Sequence, residues 1–90
     1  MIFKAKINRL DNKYQQAVTQ LRARALQEFN CTKFESIGDS KHEIALSYWN
    51  NLNDIQAWHS DTEHKIAQQL GKEQWYKSFS VEICEVIRNY

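Results

Sequence analysis

The chain has 90 residues, a formal net charge of +1, 42% hydrophobic residues and 26% charged ones. That length holds one domain with a marginal core, since a chain of this size buries only roughly 60–65% of its unfolded surface. Lys and Arg are scattered, which excludes the concentrated basic patch of a nucleic-acid surface. No apolar run nears the roughly 20 residues of a membrane span.

The start, Met1-Ile2-Phe3-Lys4-Ala5-Lys6, is too interrupted by lysine for a secretory signal, so a cytoplasmic location is expected. The two cysteines, Cys31 and Cys84, form neither a disulfide framework nor a metal-ligand cluster and read as reduced residues in strands. With no covalent or metal staple, dimerisation is the natural support for so small a core.

Residues 2–8 alternate as a first strand, with Phe3, Ala5 and Ile7 on one face and Lys4, Lys6 and Asn8 on the other. Asp11 can cap a helix in which Tyr14, Ala17, Val18, Leu21, Ala25 and Phe29 recur at helical spacing, running to about Glu28. Lys13, Arg22 and Arg24 read as its solvated flank. Cys31 to Ile37 alternates as a second strand, Gly38-Asp39-Ser40 is a turn, and His42 to Asn50 is a third strand. Ile44, Leu46 and Tyr48 face one way there, and Ala45, Ser47 and Trp49 the other.

A second helical region follows Asn51, with Leu52, Ile55 and Trp58 on one stripe. Ser60-Asp61-Thr62-Glu63 has the form of a capping box, predicting a break near Ser60 and a new helix carrying His64, Ala67 and Leu70. Gly71 is placed to end it, with one further turn over Lys72 to Tyr76. Lys77 to Arg88 alternates as a long last strand, with Phe79, Val81, Ile83 and Ile87 on one face and Cys84 and Val86 on the other.

The order β-α-β-β-α-β predicts an α+β, ferredoxin-like domain with a four-stranded antiparallel sheet and helices on one face. The third and fourth strands carry apolar residues on both faces. The helix-free face is then a large apolar patch that a second copy would cover by sheet-on-sheet packing.

The second half of the chain resembles the antibiotic-biosynthesis-monooxygenase family. The resemblance rests on Ser47-Tyr48-Trp49, Ala57-Trp58, Glu63-His64-x-x-Ala67-Gln68, Gly71-x-x-x-Trp75-Tyr76 and the closing Val86-Ile87-Arg88-Asn89-Tyr90. It covers roughly residues 44–90; Asn8-Arg9-Leu10 is similar to a short stretch of the haem-degrading branch. It implies a single domain over residues 1–90 that forms a homodimeric α/β barrel. It also implies oxygenation chemistry, either cofactor-free on an aromatic substrate or haem-dependent. In the haem-degrading pattern the ligand histidine falls about one turn after His64, where this chain has Gln68.

Three residues are candidates for catalysis. Trp58 is either a core residue or a cleft wall with one N–H donor; the resemblance favours the cleft. Asn8 is either a turn residue or an amide donor to a developing oxyanion. His64 is either a surface residue, a general base, or an axial ligand in the haem branch. Tyr48, Trp49 and Gln68 are the candidates for substrate contact, Trp49 and Trp75-Tyr76 also reading as structural, while His42 and His59 read as solvent-facing. No paired carboxylates, activated nucleophile or phosphate loop stands out.

The leading expectation is therefore a cofactor-independent monooxygenase that oxidises a small aromatic or quinone-like molecule with O₂. Haem-binding or haem-degrading activity is the second reading. A ligand-binding or structural dimer without turnover is the third.

Overall fold

The computed structural model describes residues 1–90, apart from the side chain of Glu63. Its elements are β1 (Ile2–Ile7), α1 (Asn12–Glu28), β2 (Lys33–Gly38), β3 (His42–Tyr48), α2 (Leu52–Ser60), α3 (Thr62–Leu70), a π-helical turn (Gly71–Trp75) and β4 (Tyr76–Glu82). The four strands form one antiparallel sheet in the order β2-β3-β1-β4. This is the α+β, ferredoxin-like arrangement that the alternation of the sequence predicts.

Local chemistry sets the boundaries. Asp11 caps α1 by accepting from the Tyr14 backbone N–H at 2.9 Å, and it also accepts from Trp75 Nε1 at 3.2 Å. One carboxylate thus ties the start of α1 to the turn before β4. Asn30 leaves α1 in the left-handed region, at φ 62°, a conformation asparagine tolerates better than most residues. Asp39 closes the β2–β3 hairpin by accepting from the Lys41 and His42 backbone N–H groups, both at 2.8 Å. Asn51 caps α2 through the Asp54 backbone N–H.

Register fixes the two faces. Phe3 pairs with Ala45 and Val81, Ala5 with Glu43 and Phe79, and Phe34 with Ser47, so these residues share one face. The helices lie on that face. Tyr14, Ala67 and Trp75 form one core cluster; Ala25, Cys31 and Trp58 form another. Arg24 clamps α1 to the start of α3, with its guanidinium 2.5 and 2.9 Å from the two Asp61 oxygens.

Several expectations are corrected. The N-cap of α3 is Asp61, which accepts from the His64 backbone N–H at 3.3 Å, and not Ser60, which is the last residue of α2. The reciprocal Glu63 contact of the expected capping box lies outside the described residues. Gly71 does not end a helix; its backbone is helical (φ −58°, ψ −48°) and continues into the π-helical turn. A glycine is needed there for space, because a Cβ would lie 3.0 Å from two ring carbons of Tyr76. Arg22 is no solvated flank: it lies over the Phe34 ring at 5.2 Å and donates to Ser36 Oγ.

The last strand stops at Glu82 instead of reaching Arg88. Its partner is β1, and Glu82 already pairs with Ile2, so no strand of this chain remains for residues 83–90. Ile87, 88% exposed, stands out in that stretch. The open face of the sheet also differs from expectation. Its apolar residues come from β1, β2 and β3 (Ile2, Ile37, Ile44, Leu46 and Tyr48), whereas β4 presents Ser78, Ser80 and Glu82.

Candidate functional site

Between the helices and the inward face of the sheet lies a cavity of about 150 Å³. The hydrophobic pattern itself creates it. The helices cover β2, β3 and β1 but leave the β4 residues Phe79 and Val81 partly uncovered, at 40% and 45% exposure, so the layer gap stays open on that side. Phe3, Leu21, Phe34, Phe79 and Val81 make its wall apolar, and Trp58, His64, Gln68, Glu43 and Tyr76 supply the polar groups. Such a mix of apolar wall and a few convergent polar groups is typical of small-molecule sites.

Trp58 fills both roles considered for it. It is 4% exposed and packs in the core with Ala25 and Cys31, yet one side of its ring borders the cavity. Phe34 meets it edge-on at 6.0 Å and Trp49 backs it at 5.3 Å. Its Nε1–H is buried without a hydrogen-bond partner. An orphaned buried donor costs about 1–3 kcal/mol of desolvation.

His64 lies against the same indole, with ring centroids 4.0 Å apart and planes inclined by 34°. Its Nδ1 is 3.0 Å from the Trp58 carbonyl oxygen. A carbonyl can only accept, so Nδ1 carries the proton and Nε2 is left as the basic nitrogen of the neutral ring. Burial pushes the His64 pKa down, helped by nearby His59, while the Trp58 carbonyl and Asp61 pull the other way. The break between α2 and α3 makes this possible: it turns α3 so that His64, in its first turn, folds back over the end of α2.

A third group was not among the sequence candidates. Tyr14 Oη donates a short hydrogen bond to Glu43 Oε2 across the α1–β3 interface. The Tyr76 ring lies edge-on to that of Tyr14, 6.2 Å away, close enough for the Glu43 carboxylate to act on its hydroxyl. Burial, reinforced by the Glu43 carboxylate, raises the pKa of both tyrosines, so both stay protonated, and Tyr14 is the donor to Glu43. Glu43 is the acceptor of this cluster, and it borders the cavity together with Tyr76. Its signal in the sequence was parity: Glu43 shares the strand face of Ala45 and Ser47, where a carboxylate turned toward the helices needs partners.

The structure brings Trp58, His64 and Gln68 together on one cavity. Gln68 donates to the His59 carbonyl oxygen at 3.3 Å, and His59, although exposed, borders the same cavity instead of facing only solvent. Asn8 does not join them. It is exposed just past β1, and its amide donates to the Gln74 carbonyl oxygen at 3.2 Å. A register shift between Lys6 and Ile7 precedes Asn8, whose backbone N–H donates to the Trp75 carbonyl oxygen at 2.7 Å. Tyr48 lies on the open face of the sheet, where Lys33 Nζ sits 5.6 Å from its ring centre. Trp49 donates from Nε1 to Ser47 Oγ at 2.9 Å and supports Trp58 from behind. Both border a separate pocket of about 870 Å³ beside the Ile83–Val86 segment. Among the described residues, no group of three or more His, Cys, Asp or Glu could hold a metal ion. No described helix is long and apolar enough to cross a membrane.

No family model matches the chain, and no solved structure matches it. Over 45 residues it is 38% identical to the uncharacterized protein YqjZ of Bacillus subtilis (strain 168). The matched stretch is 50% of this chain and 40% of that relative, so the match spans about two fifths of the length of that protein.

Proposed function

We propose that the chain is a cofactor-independent monooxygenase of the antibiotic-biosynthesis-monooxygenase type, acting on a small phenolic or quinone-like molecule as a cytoplasmic homodimer. The observation that carries this reading is the Trp58–His64 pair: a neutral histidine with its basic Nε2 available, stacked on an indole whose buried N–H lacks an acceptor, at the wall of an apolar cavity. His64 Nε2 takes the phenolic proton. The phenolate passes one electron to O₂, and the resulting radical and superoxide combine at a ring carbon. Loss of water leaves a carbonyl there, so phenol and O₂ become quinone and water. The Trp58 N–H takes the role of neutral donor to the developing oxygen anion that the sequence assigned to Asn8. The apolar wall keeps bulk water from the reactive intermediates.

The residues present fit haem poorly. A cavity of about 150 Å³ is of the size of a small aromatic molecule, far smaller than a porphyrin. Gln68 offers an amide where the haem-degrading pattern has a histidine, and that amide is already bonded to His59. The homodimer is supported by the apolar open face of the sheet and by the Ile83, Val86 and Ile87 side chains, which stand in solvent on a single chain. Oxygen uptake with a panel of phenols and hydroquinones tests the activity. Uptake with at least one of them, reduced at least tenfold in His64→Gln, is expected. Turnover that survives this substitution within twofold removes the assigned base and overturns the mechanism.

A further inference from the structure

The proposed chemistry uses one end of the cavity, where Trp58 and His64 lie. The opposite end carries the Tyr14–Glu43–Tyr76 cluster. From the geometry we infer that this cluster is a second recognition pole, and that the ligand is an uncharged aromatic of one or two rings with a hydroxyl donor at each end. This inference rests on the cavity being the substrate site and adds the class of substrate it takes.

Three observations support it. First, the poles are separated along one strand. Trp58 packs against Phe34, which pairs with Ser47 in β3, whereas Glu43 lies four residues earlier in that strand. Four residues span about 13 Å at roughly 3.3 Å each; side chains reaching inward from both ends shorten that to the length of a small fused-ring molecule. Second, the two ends are chemically opposite. The Trp58 Nε1–H is an unpartnered donor. The Glu43 carboxylate is an acceptor with about four lone-pair sites, of which the Tyr14 hydroxyl takes one. Third, the walls between them are apolar and aromatic: Phe3, Phe34 and Phe79 border the same volume. A flat ring fits that lining, and its two ends meet an acceptor and a donor.

The carboxylate also selects against charge. A ligand with an anionic group at that end would place two negative charges together in a partly dry site. Glu43 is a specificity-determining residue in this arrangement, and Tyr14 and Tyr76 are positioning residues that hold its carboxylate. A merely structural role, in which the cluster only joins α1 to the sheet, would make binding indifferent to a second hydroxyl.

The test titrates the full chain with 2,6-dihydroxynaphthalene, 2-naphthol and 6-hydroxy-2-naphthoate, followed by tryptophan emission and calorimetry. A hydrogen bond to a carboxylate should make the dihydroxy probe bind about tenfold tighter than 2-naphthol, with the naphthoate the weakest of the three. In Glu43→Gln, whose fold is checked by circular dichroism, the gap between the first two should narrow to within about threefold. Equal binding of the first two by the unmodified chain, tight naphthoate binding, or an unchanged gap in folded Glu43→Gln overturns the second pole and leaves the cavity reading standing. Binding of none of the three overturns both. If Glu43→Gln does not fold, the ratio measured on the unmodified chain decides.

Discussion

Replacing Trp58 by Phe separates its structural role from its binding role, because the two respond with different magnitudes. The indole is 4% exposed, so shortening it to a phenyl ring removes buried apolar contact and leaves a small void. Counting about two methylene equivalents, that loss is about 1–2 kcal/mol. The same substitution deletes the Nε1–H, which is buried without an acceptor. Removing an unsatisfied buried donor returns about 1–3 kcal/mol. The two effects have opposite sign and similar size, so net stability should change by less than about 1 kcal/mol, a shift in Tm within about 8 °C for a domain of this length. Affinity for 2,6-dihydroxynaphthalene has no such offset. Loss of one neutral hydrogen bond should weaken it about three- to tenfold. Calorimetric melting and titration of the same preparation read both numbers. Trp58→Ala, by contrast, removes the whole side chain at about 3–5 kcal/mol, comparable with the total stability of a small domain. A fall in Tm above about 15 °C for Trp58→Phe would mean that the indole N–H is satisfied in the folded protein. Unchanged affinity would mean that it does not meet the ligand. Either result refutes the reasoning.

Gly71→Ala should destabilise the protein by about 1–2 kcal/mol and lower Tm by roughly 5–10 °C, because the new Cβ presses on a Tyr76 ring already enclosed by Phe3, Tyr14, Trp75 and Phe79; an unchanged or raised Tm would show that helix propensity outweighs the contact. His64 has its folded pKa pushed below the ordinary 6.5 by burial, so the unfolded chain binds this proton first and stability should fall as pH drops from 6.5 toward the folded value. Denaturation midpoints at stepped pH should show that loss in the native chain and a flatter profile in His64→Gln; identical slopes would place the effect elsewhere. A chain ended after Glu82 should keep its circular dichroism spectrum, since residues 83–90 pair with no strand, but should lose self-association by light scattering. Dimers that persist undiminished would show that the open sheet face suffices alone.

The fold was legible because each element carries its own period and its own punctuation. Asp11, Asn51 and the Gly38–Ser40 turn mark boundaries within a residue or two, and strand parity alone assigns Phe3, Ala45 and Phe79 to one face. Where the reading failed, the deciding fact was non-local. Alternation from Lys77 to Arg88 says that the segment suits a strand, but a strand exists only while a partner strand lies beside it, and β1 has none to offer beyond Ile2. Gly71 looked like a helix stop because glycine so often is one. Its true constraint is a ring five residues later that folds back against it, which helix periodicity does not record.

The site divides along the same line. Trp58 and His64 could be placed together from sequence because they flank a helix break, and a break of that kind turns the next helix back over the last one. Asn8 could not, because its destination depends on a bulge in β1 and on the turn that precedes β4, two features of strand pairing. Glu43 was hidden for another reason. A single carboxylate in a strand looks like an outward-facing charge until its parity is set against Ala45 and Ser47, and its partners, Tyr14 and Tyr76, come from elements 29 and 33 residues away. A carboxylate turned inward loses hydration, and the hydrogen bond from the protonated Tyr14 hydroxyl offsets part of that loss. Burial raises the pKa of both hydroxyls and so keeps them donors across the working pH range. At the other end of the cavity, burial pushes the His64 pKa down. A loss of binding in mild acid that originates at His64 should disappear in His64→Gln, and a loss that persists in that variant would place the effect elsewhere.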